Sequence, residues 1–157
     1  MDGSKAGKYL TFKLAGEDYG IPLLKVREII GMMPVTSVPR TPDFVKGVIN
    51  LRGKVIPVTD LRLKFDLPET DYNDRTCMIV VEVAGQDRIV EMGIVVDAVS
   101  EVLPVKANEI EPAPEFGASL DTRYILGMAN MEGSVKILLD IDRVLTTEEI
   151  ALIEKAA

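Results

Sequence analysis

Short apolar runs broken by glycine, proline or small polar residues about every 8–12 positions mark this chain as rich in β-strand. Residues 9–14 (YLTFKL) alternate apolar and polar, which predicts a half-buried strand; Gly16-Glu17-Asp18 predicts a turn and 19–21 the start of a second strand. Residues 22–30 fit two templates. Leu23, Val26 and Ile30 lie at helical spacing with Pro22 in a first turn, whereas the β-branched end favours a strand, so a helical turn running into a strand is expected. Pro34, Pro39 and Pro42 leave 35–38 room for at most a short edge strand. Residues 45–51 and 54–59 flank Arg52-Gly53 and read as a hairpin, and 60–65 reads as a short helix capped by Asp60. Residues 68–75 (PETDYNDR) have the composition of a linker. Beyond it, 77–83 is a strongly apolar strand, 84–87 a turn, and 89–102 a second long run in which Gly93-Ile94-Val95-Val96 reads as buried on both faces. Residues 105–119 form a loop longer than its counterpart, carrying Pro112, Pro114 and Phe116. A second hairpin follows within 124–145 (YILGMANMEGSVKILLDIDRVL). Thr146-Thr147-Glu148-Glu149 fits a capping box for a final helix over roughly 147–156, with Ile150 and Ile153 on its docking face.

The two hairpins share a framework. Gly47, Asn50, Gly53, Val55 and Asp60 recur 80 positions later as Gly127, Asn130, Gly133, Val135 and Asp140. At smaller offsets, Gly20-Ile21, Val26 and Glu28 correspond to Gly93-Ile94, Val99 and Glu101, and Leu14-Ala15-Gly16 to Val83-Ala84-Gly85. Matches in the same order along the chain indicate a doubled unit. The expected architecture is therefore all-β with short helices. It comprises two pseudo-repeated five-stranded barrels packed together over 8–68 and 76–145, with an exchange of terminal elements allowed, and a C-terminal helix over 146–157.

Composition narrows the chemistry. At 157 residues, each copy alone would bury only ~60% of its extended-chain surface, so the two gain by sharing an interface. The chain has no histidine, which removes imidazole bases, triads and the usual zinc sites, and its single Cys77 lies in an apolar strand. No glycine-rich phosphate loop is present, and Asp140 with Asp142, or Asp71 with Asp74, suits caps and turns better than an acid pair or calcium ligands. Net charge is −7 and there is no tryptophan, which argues against a nucleic-acid groove of basic and aromatic residues. No apolar run spans a membrane and the start, MDGSKAGK, carries no secretory core, so a cytosolic protein without catalysis, metal or cofactor is expected.

Recognition remains. Residues serving the scaffold should agree between copies and residues used by one copy should differ. Arg52 stands where the other hairpin carries Glu132, and Lys54 where it carries Ser134. Arg52 reads either as an ordinary solvated arginine or as a guanidinium offered to a carboxylate. Val26 and Val99 read either as core or as paired positions lining a groove between barrels. Phe116 reads either as an exposed anchor or as a staple onto its own barrel.

Several stretches resemble one family. Tyr19-Gly20-Ile21, Leu24-Lys25-Val26-Arg27-Glu28-Ile29, Lys46-Gly47-Val48-Ile49-Asn50-Leu51-Arg52-Gly53, Val55-Ile56-Pro57-Val58 and Gly93-Ile94-Val95-Val96-Asp97 leading to Val99-Ser100-Glu101-Val102 are similar to the CheW coupling proteins of bacterial chemotaxis, from Lys8 to the C-terminus. The resemblance implies two SH3-like barrels and a non-catalytic adaptor joining the cytoplasmic tips of methyl-accepting chemoreceptors to the regulatory domain of the histidine kinase CheA. It implies a protein that is a monomer by itself, assembles into rings within arrays, and is recruited to membrane-associated arrays without entering the membrane. By the family pattern, receptor contact falls on Val26, Glu28, Gly47, Arg52, Gly93, Val99 and Val102. Kinase or ring contact falls on the loop with Glu111 and Phe116, where the acidic Glu111 departs from the basic residue often found in the family. A detached kinase regulatory domain is the alternative within the same class.

Overall fold

Each hairpin forms where two residues in succession can reverse the chain. In the computed structural model, which describes residues 5–85, 88–112, 122–131, 133–145 and Glu149, Leu51 pairs with Lys54 across Arg52 (φ 53°) and Gly53 (φ 85°). Positive φ at both central positions gives the two-residue turn whose twist matches that of the strands. Asn50 Oδ1 accepts the Gly53 N–H at 2.8 Å and locks it.

The strands are β1 (Gly7–Leu14), β2 (Glu17–Pro22), β3 (Val26–Gly31), β4 (Val45–Leu51), β5 (Lys54–Asp60), β6 (Cys77–Ala84), β7 (Ile89–Val96), β8 (Ala98–Val105), β9 (Ile110–Glu111), β10 (Ile125–Met131) and β11 (Ser134–Leu139). Helix α1 (Leu61–Lys64) follows β5, α2 (Ile141–Val144) follows β11, and a single 3-10 turn, Leu23–Lys25, precedes β3. The helical turn running into a strand expected at 22–30 is therefore present. The run expected over 89–102 divides at Asp97 into β7 and β8. Asp60 and Asp140 cap α1 and α2 in the same way, each accepting the backbone N–H two residues on.

Two sheets result, one six-stranded in the order β8-β1-β2-β11-β10-β9 and one five-stranded in the order β3-β6-β7-β5-β4. The Thr36–Val48 bridge flanks β4 as β9 flanks β10. The same order appears twice, and the repeat registers with it. The parallel pairs Gly20–Leu138 and Gly93–Val58 are equivalent, and register shifts fall at the equivalent Val45/Gly47 and Ile125/Gly127. The sheets are not successive halves of the chain, which corrects the expectation of units over 8–68 and 76–145. Hairpin β1–β2 completes the sheet built from β8–β11, and hairpin β6–β7 completes the sheet built from β3–β5. The allowed exchange of elements thus reaches a whole hairpin in each direction.

Burial explains the exchange. Met78, Val80 and Val95 face a small core with Ile49, Ile56 and Val58 inside the five-stranded sheet. Their neighbours Ile79, Val81, Val83, Met92, Ile94 and Val96 face the opposite way, onto Leu10, Phe12, Leu14, Tyr19 and Ile21 of the other sheet. Tyr9, Val105, Ala129 and Leu138 form the corresponding small core of the six-stranded sheet. Strands β6 and β7 are buried on both faces, as their continuous apolar runs require. The C-terminal helix expected over 146–157 lies outside the described residues except for Glu149, whose carboxylate accepts from Lys64 Nζ at 3.0 Å.

Gly47 (φ 142°) shows how tightly β4 is held, since a Cβ there would stand 2.0 Å from the Thr36 carbonyl oxygen. Substitution Gly47→Ala is expected to lower unfolding free energy by about 3 kcal/mol or more, combining backbone strain with the lost bridge. Urea unfolding of the two proteins checks it, and equal midpoints would show that the bridge is expendable.

Candidate functional site

The outer strands β3 and β8 occupy equivalent edges of the two sheets, and each begins at a passage of the chain from one sheet to the other. A register shift follows Val26 in β3, between the pairs Val26–Val81 and Glu28–Val80, and another follows Val99 in β8, between Phe12–Val99 and Leu10–Val102. One extra residue in each outer strand is a β-bulge, which bends the strand and re-aims its side chains. In β8 the irregularity is satisfied by the buried Thr11, whose Oγ1 donates to the Glu101 carbonyl at 2.8 Å and accepts the Glu101 N–H at 3.1 Å. Val26 and Val99 are half-buried against the same inter-sheet core, while Val102 is 44% exposed. Neither valine is therefore pure core or pure surface. Each presents part of an aliphatic side chain at a bulge.

Beside Val26, the Glu28 carboxylate reaches the hairpin turn at the opposite edge of its sheet. Arg52 Nη2 lies 2.7 Å from both Glu28 oxygens. The contact joins β3 to the β4–β5 turn, so the sheet curls until its edges approach. It rims a cavity of about 290 Å³ lined by Arg27, Glu28, Leu51, Arg52, Lys54, Ile56, Val80 and Glu91. Lys54 pairs with Glu91, and Arg27 lies 3.5 Å from both Glu82 and Glu91. Arg52 stays 71% exposed, so its pair is the kind worth ~0–1 kcal/mol and readily exchanged for another carboxylate.

Glu28, Arg52 and Val26 thus gather at one end of β3, and Val99 and Val102 on β8. Gly47 and Gly93, the other two positions implied by resemblance on the five-stranded sheet, lie inside it. Both are buried, Gly93 with the position of a Cβ 3.4 Å from Met78 Sδ and 3.6 Å from Val58, so both act through packing. Glu111 lies on β9, exposed, with Asn130 Nδ2 3.3 Å from its carboxylate; Phe116 lies outside the described residues. Sequence reading missed Arg27 and Glu91, which complete the ring of charges. Their alternation within strands was visible, but the curl that brings β3, β5 and β7 to one cavity was not. Cys77 is half-buried, and burial raises its thiol pKa against a smaller opposing hydrogen bond from the Val99 backbone. Among the described residues no cluster of His, Cys, Asp and Glu suits a metal ion, and no helix is long and apolar enough to cross a membrane.

Known proteins resemble this chain in sequence and in fold. Residues 8–149 match the family described as CheW-like domain. The chemotaxis protein CheW of Klebsiella aerogenes is 47% identical over 158 aligned positions, covering 100% of this chain and 93% of that protein. CheW of Rhizobium meliloti is 32% identical, covering 93% of this chain and 97% of that one. The crystal structure of the scaffolding protein TtCheW from Thermoanaerobacter tengcongensis superposes with a TM-score of 0.81 at 35% identity, covering 92% of this chain and 97% of that chain.

Two residues before Val99, Asp97 binds Arg62 through both oxygens, at 2.8 and 2.6 Å. Burial by itself would raise the Asp97 pKa, but the hydrogen bonds from Arg62 and the Ala15 N–H, with the Arg62 charge, hold it below the ordinary carboxylate value. A depressed pKa stabilises the fold where the carboxylate is ionised, above its unfolded value of about 3.9, and the contribution is lost as pH falls through the folded value. Asp97→Asn is expected to lose about 1–3 kcal/mol at pH 7 and to converge on the wild type as pH falls below ~4. Urea unfolding of both proteins at pH 7 and pH 3 checks it; a constant gap would remove ionisation as the cause.

Proposed function

The chain belongs to the CheW-like family, non-catalytic adaptors of chemotaxis, and from that membership we propose that it couples the cytoplasmic tips of methyl-accepting chemoreceptors to the regulatory domain of the histidine kinase CheA. The observation that carries this reading is the pairing of a half-buried valine with a bulge on each outer strand, with an exposed arginine held by Glu28 beside the first. A receptor tip is a helical hairpin. A helix lays its apolar stripe against partly exposed aliphatic side chains and gains ~1.5–3 kcal/mol for each large one it fully covers. Val26, Val99 and Val102 supply that burial here. Because the first two are already half-covered, each contributes less than the full amount, and affinity per site is modest. Arg52 adds orientation more than strength, exchanging Glu28 for an acidic side chain of the receptor.

Kinase and ring contacts fall elsewhere in this reading, on Glu111 of β9 and on Phe116. The protein is a monomer by itself and is recruited from the cytoplasm to receptor arrays, where many modest contacts act together. Gly47 and Gly93 support docking from within the five-stranded sheet.

Capture of purified wild type and Arg52→Asp on a receptor cytoplasmic fragment and, separately, on CheA tests the assignment. The variant is expected to lose receptor capture by about tenfold or more while remaining folded and retaining the kinase. Equal receptor capture would remove Arg52 from the contact. Val26→Met is expected to weaken receptor capture with little change in melting temperature, since a half-exposed position accommodates the longer side chain; a large fall in melting temperature would return Val26 to the core.

A further inference from the structure

Between consecutive described strands, the chain passes from one sheet to the other twice, at β2→β3 through Leu23–Lys25 and at β7→β8 through Asp97. An aspartate grips each passage. Asp97 Oδ1 and Oδ2 accept from Arg62 of α1, which follows the five-stranded sheet, and Oδ2 also accepts at 2.8 Å from the Ala15 N–H, in the β1–β2 turn of the six-stranded sheet. Asp142 stands in α2, which follows the six-stranded sheet. Its Oδ1 accepts at 2.9 Å from the Ala84 N–H, at the end of β6 in the five-stranded sheet, and its Oδ2 lies 2.7 Å from Lys25 Nζ at the other passage.

The repeat makes the arrangement informative. Ala15 and Ala84 are equivalent positions, as are Arg62 and Asp142, yet the charges are reversed. On one side the cation sits on the helix and the carboxylate at the passage; on the other the carboxylate sits on the helix and the cation at the passage. The same joint has been built twice from different residues, which inherited sequence identity between copies does not explain. All four side chains are largely sheltered, with exposures from 16% to 36%, so solvent screens these pairs less than it does Arg52.

We propose that Asp97 and Asp142 are positioning residues. Each bridges the sheets, Asp97 from the passage to Ala15 on one sheet and to the helix that follows the other, Asp142 from the helix that follows one sheet to Ala84 on the other, and together they set the angle between the sheets and thus the spacing of β3 and β8. The outer strands begin at Val26 and Ala98, one residue beyond Lys25 and Asp97, so a loosened joint displaces the docking valines first. The link to docking rests on the adaptor reading; the joint itself does not.

The test places nitroxide labels at Val55→Cys and Val135→Cys, the exposed second residues of the equivalent strands β5 and β11, in a Cys77→Ala background, and measures their separation by pulsed electron paramagnetic resonance. One narrow distance is expected for the parent protein. The double variant Asp97→Asn/Asp142→Asn should broaden or shift it, keep its far-ultraviolet dichroism, and bind a receptor fragment about tenfold more weakly. If that variant does not fold, Arg62→Gln/Lys25→Gln leaves both carboxylates on their backbone amides and should give the same broadening. Folded variants with an unmoved distance would overturn the joints, even with a lowered melting temperature. A moved distance with undiminished receptor affinity would overturn their role in docking. A parent protein that ignores the receptor fragment would sink the adaptor reading instead, and the distance measurement would still decide the joints.

Discussion

The fold depends on one requirement, that its central strands bury both faces. Residues of β6 alternate between two cores, Met78 and Val80 pointing into the five-stranded sheet and Ile79, Val81 and Val83 pointing at the other sheet. A single half of the chain is too small to enclose such a strand. Exchanging a hairpin in each direction solves this, because each sheet then supplies the wall that the other's outward face needs, and neither half is complete without its partner. The aromatic stack Phe12–Tyr19–Phe65–Tyr124, with centroid spacings of 6.0, 6.0 and 5.6 Å, runs along the same seam.

Exchange has a consequence for recognition. It leaves the third strand of each copy, β3 and β8, on the outside of a sheet completed by the opposite copy. Edge strands with free backbone groups invite unwanted pairing, and a bulge in each discourages it. The same bulges lift Val26 and Val99 partly out of the inter-sheet core. A protective irregularity and a contact surface are thus one feature of the backbone, and Thr11 satisfies the polar groups that the irregularity in β8 would otherwise strand.

Charge plays two different parts. Around the cavity beside β3, Arg27, Arg52 and Lys54 are drawn together in a chain of net charge −7, each paired to a glutamate and largely exposed. Such pairs are weak and replaceable, and suit a surface that must trade internal partners for external ones. The pairs at Asp97 and Asp142 are more sheltered and also hold backbone amides, so breaking them strands more than one donor.

Turns, strands and helix caps were legible from local chemistry: Asn50 and Gly53 specify their turn, Asp60 and Asp140 their caps, and the apolar run of β6 its two-sided burial. The repeat announced that every element would occur twice, and comparison of its two copies singled out Arg52 and Val26. Which hairpin completes which sheet was not legible, since equivalent copies present equivalent edges and the short connection at Lys25 or Asp97 alone directs each hairpin across. Nor was the meeting of Glu28 with Arg52, or the reversed joints, both of which arise from distances between strands remote in the chain. Neighbouring residues set the local backbone by sterics and hydrogen bonding, and that much the chain carries in its letters. The angle between sheets and the curl of each are collective results of packing two-sided strands, and only the assembled tertiary structure decides them.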